Sequence, residues 1–208
     1  MTQKEKDLFF WGLDLEMEQP SQEIISVGIC FAFNLGDPFR EYMITKNFLV
    51  TPSESVSDKI SALTGLKDSD FDWKKSRYVC FQEIFAHLEG PMSHGISMFP
   101  EAVTWGAGDV PLLRAQMFDE IGKVPAILGR RPLDVKTLCM MDRVYSNKSI
   151  SSKLSLRTAL SSYGLSFVGN AHCSADDAEN TIFLFSEIVK RKKKQQNLLS
   201  QIQELKLS

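Results

Sequence analysis

The chain has 208 residues, 43% of them hydrophobic and 24% charged, with 24 Lys and Arg against 26 Asp and Glu for a formal net charge of −2. That is the composition of one ordinary globular domain with a sizeable core, and it argues against a protein that coats nucleic acid through bulk charge. No apolar run approaches the roughly 18 residues needed to span a bilayer. The four cysteines, Cys30, Cys80, Cys139 and Cys173, are scattered and form no CxxC pair. With no signal-peptide pattern at the start, reduced thiols in the cytoplasm are expected.

In chain order, DLFFWGLDLEM (7–17) and EIISVGICFAF (23–33) predict two strands, and Leu35-Gly36-Asp37-Pro38 a turn into a third strand, REYMITKNFLV (40–50). Short connections make the three an antiparallel meander. Pro52-Ser53 is expected to open a helix that ends at Thr64-Gly65, with Ile60 and Leu63 on one side. A second helix is predicted over 76–88, with Val79, Ile84 and Leu88 near one face and Gly90-Pro91 as its stop. GISMFPEAVTW (95–105) predicts a fourth strand, after which Asp109 opens a helix with Leu113, Met117, Phe118 and Ile121 inward. PLDVK (132–136) reads as a fifth strand, followed by a helix through Leu138 and Met141, another over 154–163, and a long last one from Ser174 to about Leu205. Three antiparallel strands followed by α/β alternation predict a mixed five-stranded sheet flanked by helices, the layout of the ribonuclease-H-like fold.

Five polar residues stand out by their order: Asp14-x-Glu16, a lone Asp109 in WGAGD, then His172-x4-Asp177 in HCSADD. Each has a plain structural reading. Asp14 and Glu16 fit simple strand alternation, with Leu13, Leu15 and Met17 on the other face. Asp109 fits a helix N-cap, and Ser174 to Asp177 a capping box. Against the first, the unbroken run from Phe9 to Leu13 suggests a strand buried on both faces, where unpaired carboxylates are costly. Four carboxylates gathered at one point cannot all stay ionised without a cation. A pair of oxygen-ligated divalent metals, about 3.5–4 Å apart, is the usual solution and serves phosphoryl displacement.

These motifs together resemble the DEDDh family of 3′–5′ exonucleases, over nearly the whole chain to about Val189. LDLEM looks like its first motif, WGAGD its second and HCSADDAEN its third, and Leu63-Thr64-Gly65-Leu66 falls where the family has a similar segment. WGxxD, and Gly169-x-x-His172 followed by Asp176-Asp177-Ala178-x-Asn180, look most like the KapD-like branch that trims RNA 3′ ends. Cys173 departs from the basic residue common at that place. The resemblance implies two Mg²⁺ or Mn²⁺ ions held by Asp14, Glu16 and Asp177, with Asp109 acting through water, and His172 as general base. It also places Met17, Leu63 and Thr64 beside the terminal nucleotide. Trp105 has two readings, a surface for a base or a core residue ending a strand. The implied substrate is single-stranded RNA, or DNA, with a free 3′ end. A non-enzymatic binding module is the other reading, but degenerate members should have lost a metal carboxylate, and all four are here.

Residues 190–208 form an expected extension to a domain of residues 1–189. Lys190-Arg191-Lys192-Lys193-Lys194 is either a solvated helix face or a grip on phosphates. Leu198, Ile202 and Leu205 make an apolar stripe that could fold back, dimerise or dock a partner.

Overall fold

A computed structural model describes residues 9–33, 43–93, 101–129, 131–146 and 153–207. Strands β1 (Phe9–Met17), β2 (Ile24–Phe33) and β3 (Met43–Leu49) form the antiparallel meander. Strands β4 (Val103–Thr104) and β5 (Leu133–Asp134) add in parallel on the other side of β1. The sheet order is β3-β2-β1-β4-β5, so the mixed five-stranded sheet is present. Among the described residues, six α-helices flank it: α1 (Asp58–Thr64), α2 (Arg77–Ser93), α3 (Asp109–Ile121), α4 (Val135–Tyr145), α5 (Leu156–Ser162) and α6 (Ser174–Leu207). Among the described residues, no helix is long and apolar enough to cross a membrane.

The central strand is buried on both faces, as its run of apolar residues demands. Trp11, Leu13 and Leu15 pack with Val27, Ile29 and Phe31 against Phe81, Ile84 and Leu88 of α2 and Leu113 and Met117 of α3. On the opposite face Phe10 joins Cys30 and Ala32 under Ala178, Ile182 and Phe185 of α6. Each fully buried Leu or Ile contributes roughly 1.5–3 kcal/mol. A one-residue slip of β1 would drive Asp14 and Glu16 into the first of these cores, so packing fixes the register that presents them.

Two glycines let α6 lie directly on the sheet. A Cβ at Gly12 would stand 2.7 Å from the Ala178 carbonyl oxygen, and one at Gly28 would overlap the Ser174 backbone. Gly28 pairs across the sheet with Asp14, so this approach carries the start of α6 to the carboxylate strand. Hydroxyls pin it there: the Ser26 and Ser174 side chains share a hydrogen bond at 2.7 Å, and both hydroxyl oxygens lie 2.8 Å from Asn47 Oδ1, which accepts from the one left free to donate. Gly28→Ala is therefore expected to cost about 1–3 kcal/mol or more as overpacking. It should also lower activity by shifting Asp177, whereas an alanine at exposed Gly108 has open space; denaturant melts and turnover of the two variants test this.

Several sequence expectations are corrected. Helix α1 begins at Asp58 with Ser57 as its cap, not at Pro52, and Leu63 is exposed while Ile60 is buried. Helix α2 runs through Gly90-Pro91 to Ser93, ending within one turn of the proline. Val79, Phe118 and Met141 face solvent. The expected Ile84, Leu88, Leu113 and Met117 are buried, joined by Cys80, Val110, Val135 and Cys139, and Val79 and Phe118 each stand a 100° step from these stripes. The turn at 35–38 and most of the expected fourth strand lie outside the described residues, as do the side chains of Ile202 and Leu205. Helix α6 passes unbroken from 189 into the basic cluster, where Arg191 pairs with Glu187 and bonds the Tyr163 carbonyl, and Lys192 pairs with Asp142.

Candidate active site

Three elements deliver the acidic centre. Strand β1 points Asp14 and Glu16 to the α6 face, α6 brings Asp177 from its first turn, and α3 brings Asp109. Asp109 is not the N-cap expected for α3. Gly108 is already helical and occupies that place, so the Asp109 carboxylate is not spent on capping. Ser174 is likewise no capping residue, because its hydroxyl serves Ser26 and Asn47.

Asp14, Glu16, His172 and Asp177 line one cleft of about 400 Å³, together with Trp105, Ser155, Arg157 and Phe167. One donor atom each from Glu16, His172 and Asp177 lies within 4.8 Å of the others, close enough to share a cation. Met17, Leu63 and Thr64 are not among the residues lining this cleft. Met17 is half-buried against the core beneath β1, and Thr64 bonds back into its own helix. Trp105 packs on the core under α6 and also lines the cleft.

Burial and mutual repulsion dominate the electrostatics of these carboxylates. Burial, then the charges of Asp109, Asp177 and Glu16, holds the Asp14 carboxyl well above the usual carboxylate range. Burial and the charges of Asp177 and Asp109 push Glu16 up to about 8. Asp109 rises to about 7 through burial and the charge of Asp134, and burial also raises Asp177. Proton uptake is one remedy for such crowding; hard divalent cations are the other. The donor set, three carboxylates and an imidazole at the cleft with the Asp109 charge acting on Asp14 beside them, fits that second remedy.

The loop carrying His172 is fixed by the helix that follows. Asn180 donates to the Val168 carbonyl at 2.8 Å and accepts from its N–H at 3.0 Å. The Asp176 carboxylate accepts from Asn170 N–H at 2.7 Å, and Asp177 from His172 N–H at 2.9 Å. His172 stands in the left-handed region (φ 64°) with its side chain exposed at the cleft. The acid pair and Asn of DDAEN thus aim the imidazole. Three residues had no motif to announce them: Arg157 and Phe167 in the cleft wall, and Asp134, which caps α4 while acting on Asp109.

The mixed five-stranded sheet with its flanking helices matches the ribonuclease-H-like fold of solved DEDDh exonucleases. No family model matches the sequence, and no curated protein matches it. The resemblance is in structure. The nuclease domain of 3′hExo, a DEDDh family member bound to rAMP, superposes with a TM-score of 0.63 at 16% identity, over 88% of this chain and 92% of that one. Cell-death related nuclease 4 (CRN-4) gives 0.71 at 18% identity, over 88% of this chain and 64% of that one. A 3′-exonuclease described with 3′-end-specific recognition of the histone mRNA stem-loop gives 0.63 at 13%, covering 88% and 82%.

Proposed function

We propose that this chain is a divalent-metal-dependent 3′–5′ exonuclease that removes 5′-mononucleotides from single-stranded nucleic acid, RNA before DNA. The observation that carries the reading is the convergence of Asp14, Glu16, Asp177 and His172 on one cleft of this fold, with Asp109 close enough for its charge to act on Asp14. The relatives in structure that are described with rAMP and with a histone mRNA stem-loop favour RNA, in the manner of the KapD-like branch. Asp14, Glu16, Asp177 and Asp109 would hold two Mg²⁺ or Mn²⁺ ions, which supply charge neutralisation and Lewis-acid polarisation of the phosphate.

The chain's own part is to place and deprotonate. The exposed imidazole of His172 accepts, at a ring nitrogen, a proton from the attacking water. As the water oxygen bonds to phosphorus, the bond from phosphorus to the 3′ oxygen breaks, and that oxygen leaves with a proton from solvent. The Asp177 carboxylate, by accepting the His172 backbone N–H, keeps the ring at the cleft. Trp105 offers an aromatic face to a base. Buried thiols at Cys30, Cys80 and Cys139 agree with a reducing cytoplasmic setting.

The deciding assay uses labelled RNA and DNA oligomers of equal sequence, with Mg²⁺ or Mn²⁺ and with chelator. Stepwise loss from the 3′ end is expected, abolished by chelator and strongly slowed by a 3′ phosphate but not by a 5′ block. Rapid cutting of circular strands, or full degradation in chelator, sinks the reading.

A further inference from the structure

The ionisable side chains lining the cleft are acidic or imidazole with one exception. Asp14, Glu16 and Asp177 project into it, and Arg157 is the only Lys or Arg among its described lining residues. Arg157 lies in the first turn of α5, exposed, with its guanidinium carbon 4.8 Å from the ring centre of Phe167, which lines the same wall. Seating on an aromatic face orders the planar head without using any of its five N–H donors. Its charge reaches Asp177 and favours that carboxylate's ionised form, yet the two make no ion pair. An ordered cation with unspent donors, beside a centre built for phosphate chemistry, is chemically suited to an anion.

We propose that Arg157, seated on Phe167, binds a backbone phosphate of the single strand next to the scissile one, and so fixes where the strand lies against Glu16 and Asp177. The inference rests on the nuclease reading above. A fork of parallel donors matches the non-bridging oxygens of a phosphate, which an ammonium cannot reproduce. The scissile phosphate itself falls to the carboxylates and their cations, so Arg157 contributes to holding the strand and not to the chemical step.

The test measures binding of a fluorescent single-stranded oligomer by anisotropy, with Ca²⁺ replacing Mg²⁺ to suppress turnover, for wild type, Arg157→Ala, Arg157→Lys and Phe167→Leu. Loss of a charge-assisted contact should weaken binding by Arg157→Ala roughly 10–100-fold. The slope of log affinity against log salt should fall by about 1. Arg157→Lys should recover the slope but only part of the affinity, and Phe167→Leu should lose less than Arg157→Ala. In turnover, KM should rise while kcat stays within about 3-fold of wild type, as expected for binding shared by ground and transition states. Should Arg157→Ala fail to fold, Arg157→Glu takes its place, with a larger loss. Wild-type affinity and salt slope in Arg157→Ala overturn the proposal. A protein that binds strands through Arg157 but cuts none leaves this subsite standing and sinks the nuclease reading; one that binds no strand overturns both.

Discussion

Asp14→Asn is expected to lose roughly 10³-fold or more of nuclease turnover, the scale seen when a central electrostatic stabiliser is removed. The same variant should make the metal-free protein more stable. Asp14 sits where burial and three neighbouring carboxylates oppose its charge, so an uncharged isostere removes repulsion. A pH dependence comes from proton linkage at Glu16, whose carboxyl is held at about 8 in the fold against an ordinary 4.5. Between those values the folded chain binds more protons than the unfolded one. The stability from this group is therefore full below 4.5 and is lost as pH rises through 8. Metal-free wild type should soften across that window, and Mg²⁺ or Mn²⁺ should reverse the loss. At a hundredfold excess over Kd, binding to the folded state alone raises the melting temperature by about 5–10 °C for a domain of this size. In Asp14→Asn that metal-induced rise should shrink sharply while the metal-free melting temperature goes up. A variant with full metal stabilisation would remove Asp14 from the metal site.

His172→Asn should lose about 10²–10⁴-fold in turnover, the usual contribution of general-base catalysis. Asparagine is the informative replacement because His172 has φ 64°, a conformation that Asn tolerates and alanine resists. The backbone bond to Asp177 is kept, so the variant tests the imidazole and not the loop. Oligomer affinity and metal-induced stabilisation should stay near wild type. His172 is also within sharing distance of Glu16 and Asp177. A His172→Asn protein that loses metal stabilisation along with turnover would make the imidazole a ligand, and near wild-type turnover would end its catalytic role.

Much of the architecture was legible because hydrophobic pattern follows burial directly. The run from Phe9 to Leu13 announced a strand covered on both faces, and short links announced the meander. Helix faces were read less well. Val79 and Phe118 each lie one residue from a buried position, and a 100° error of phase is invisible when both neighbours are apolar. The candidate site was legible as an ordered set of residue types. Its cation was not: Arg157 is distinguished only by standing on Phe167, ten residues along, in the wall of the carboxylate cleft.

By itself the sequence determined the fold class, since alternation, run length and turn residues encode local structure and burial together. It also determined which carboxylates and which histidine are available. Only the tertiary structure decided how they meet. Gly12 and Gly28 look like weak points in strands, yet their missing Cβ atoms are what let α6 rest on the sheet. The Ser26–Ser174–Asn47 contacts span up to 148 residues of chain, so no local pattern could disclose them. Asp109 reads as a helix cap until its place in three dimensions leaves that carboxylate uncommitted near Asp14. Crowding of charge is a property of distances through space. For that reason the raised carboxyls belong to the folded chain.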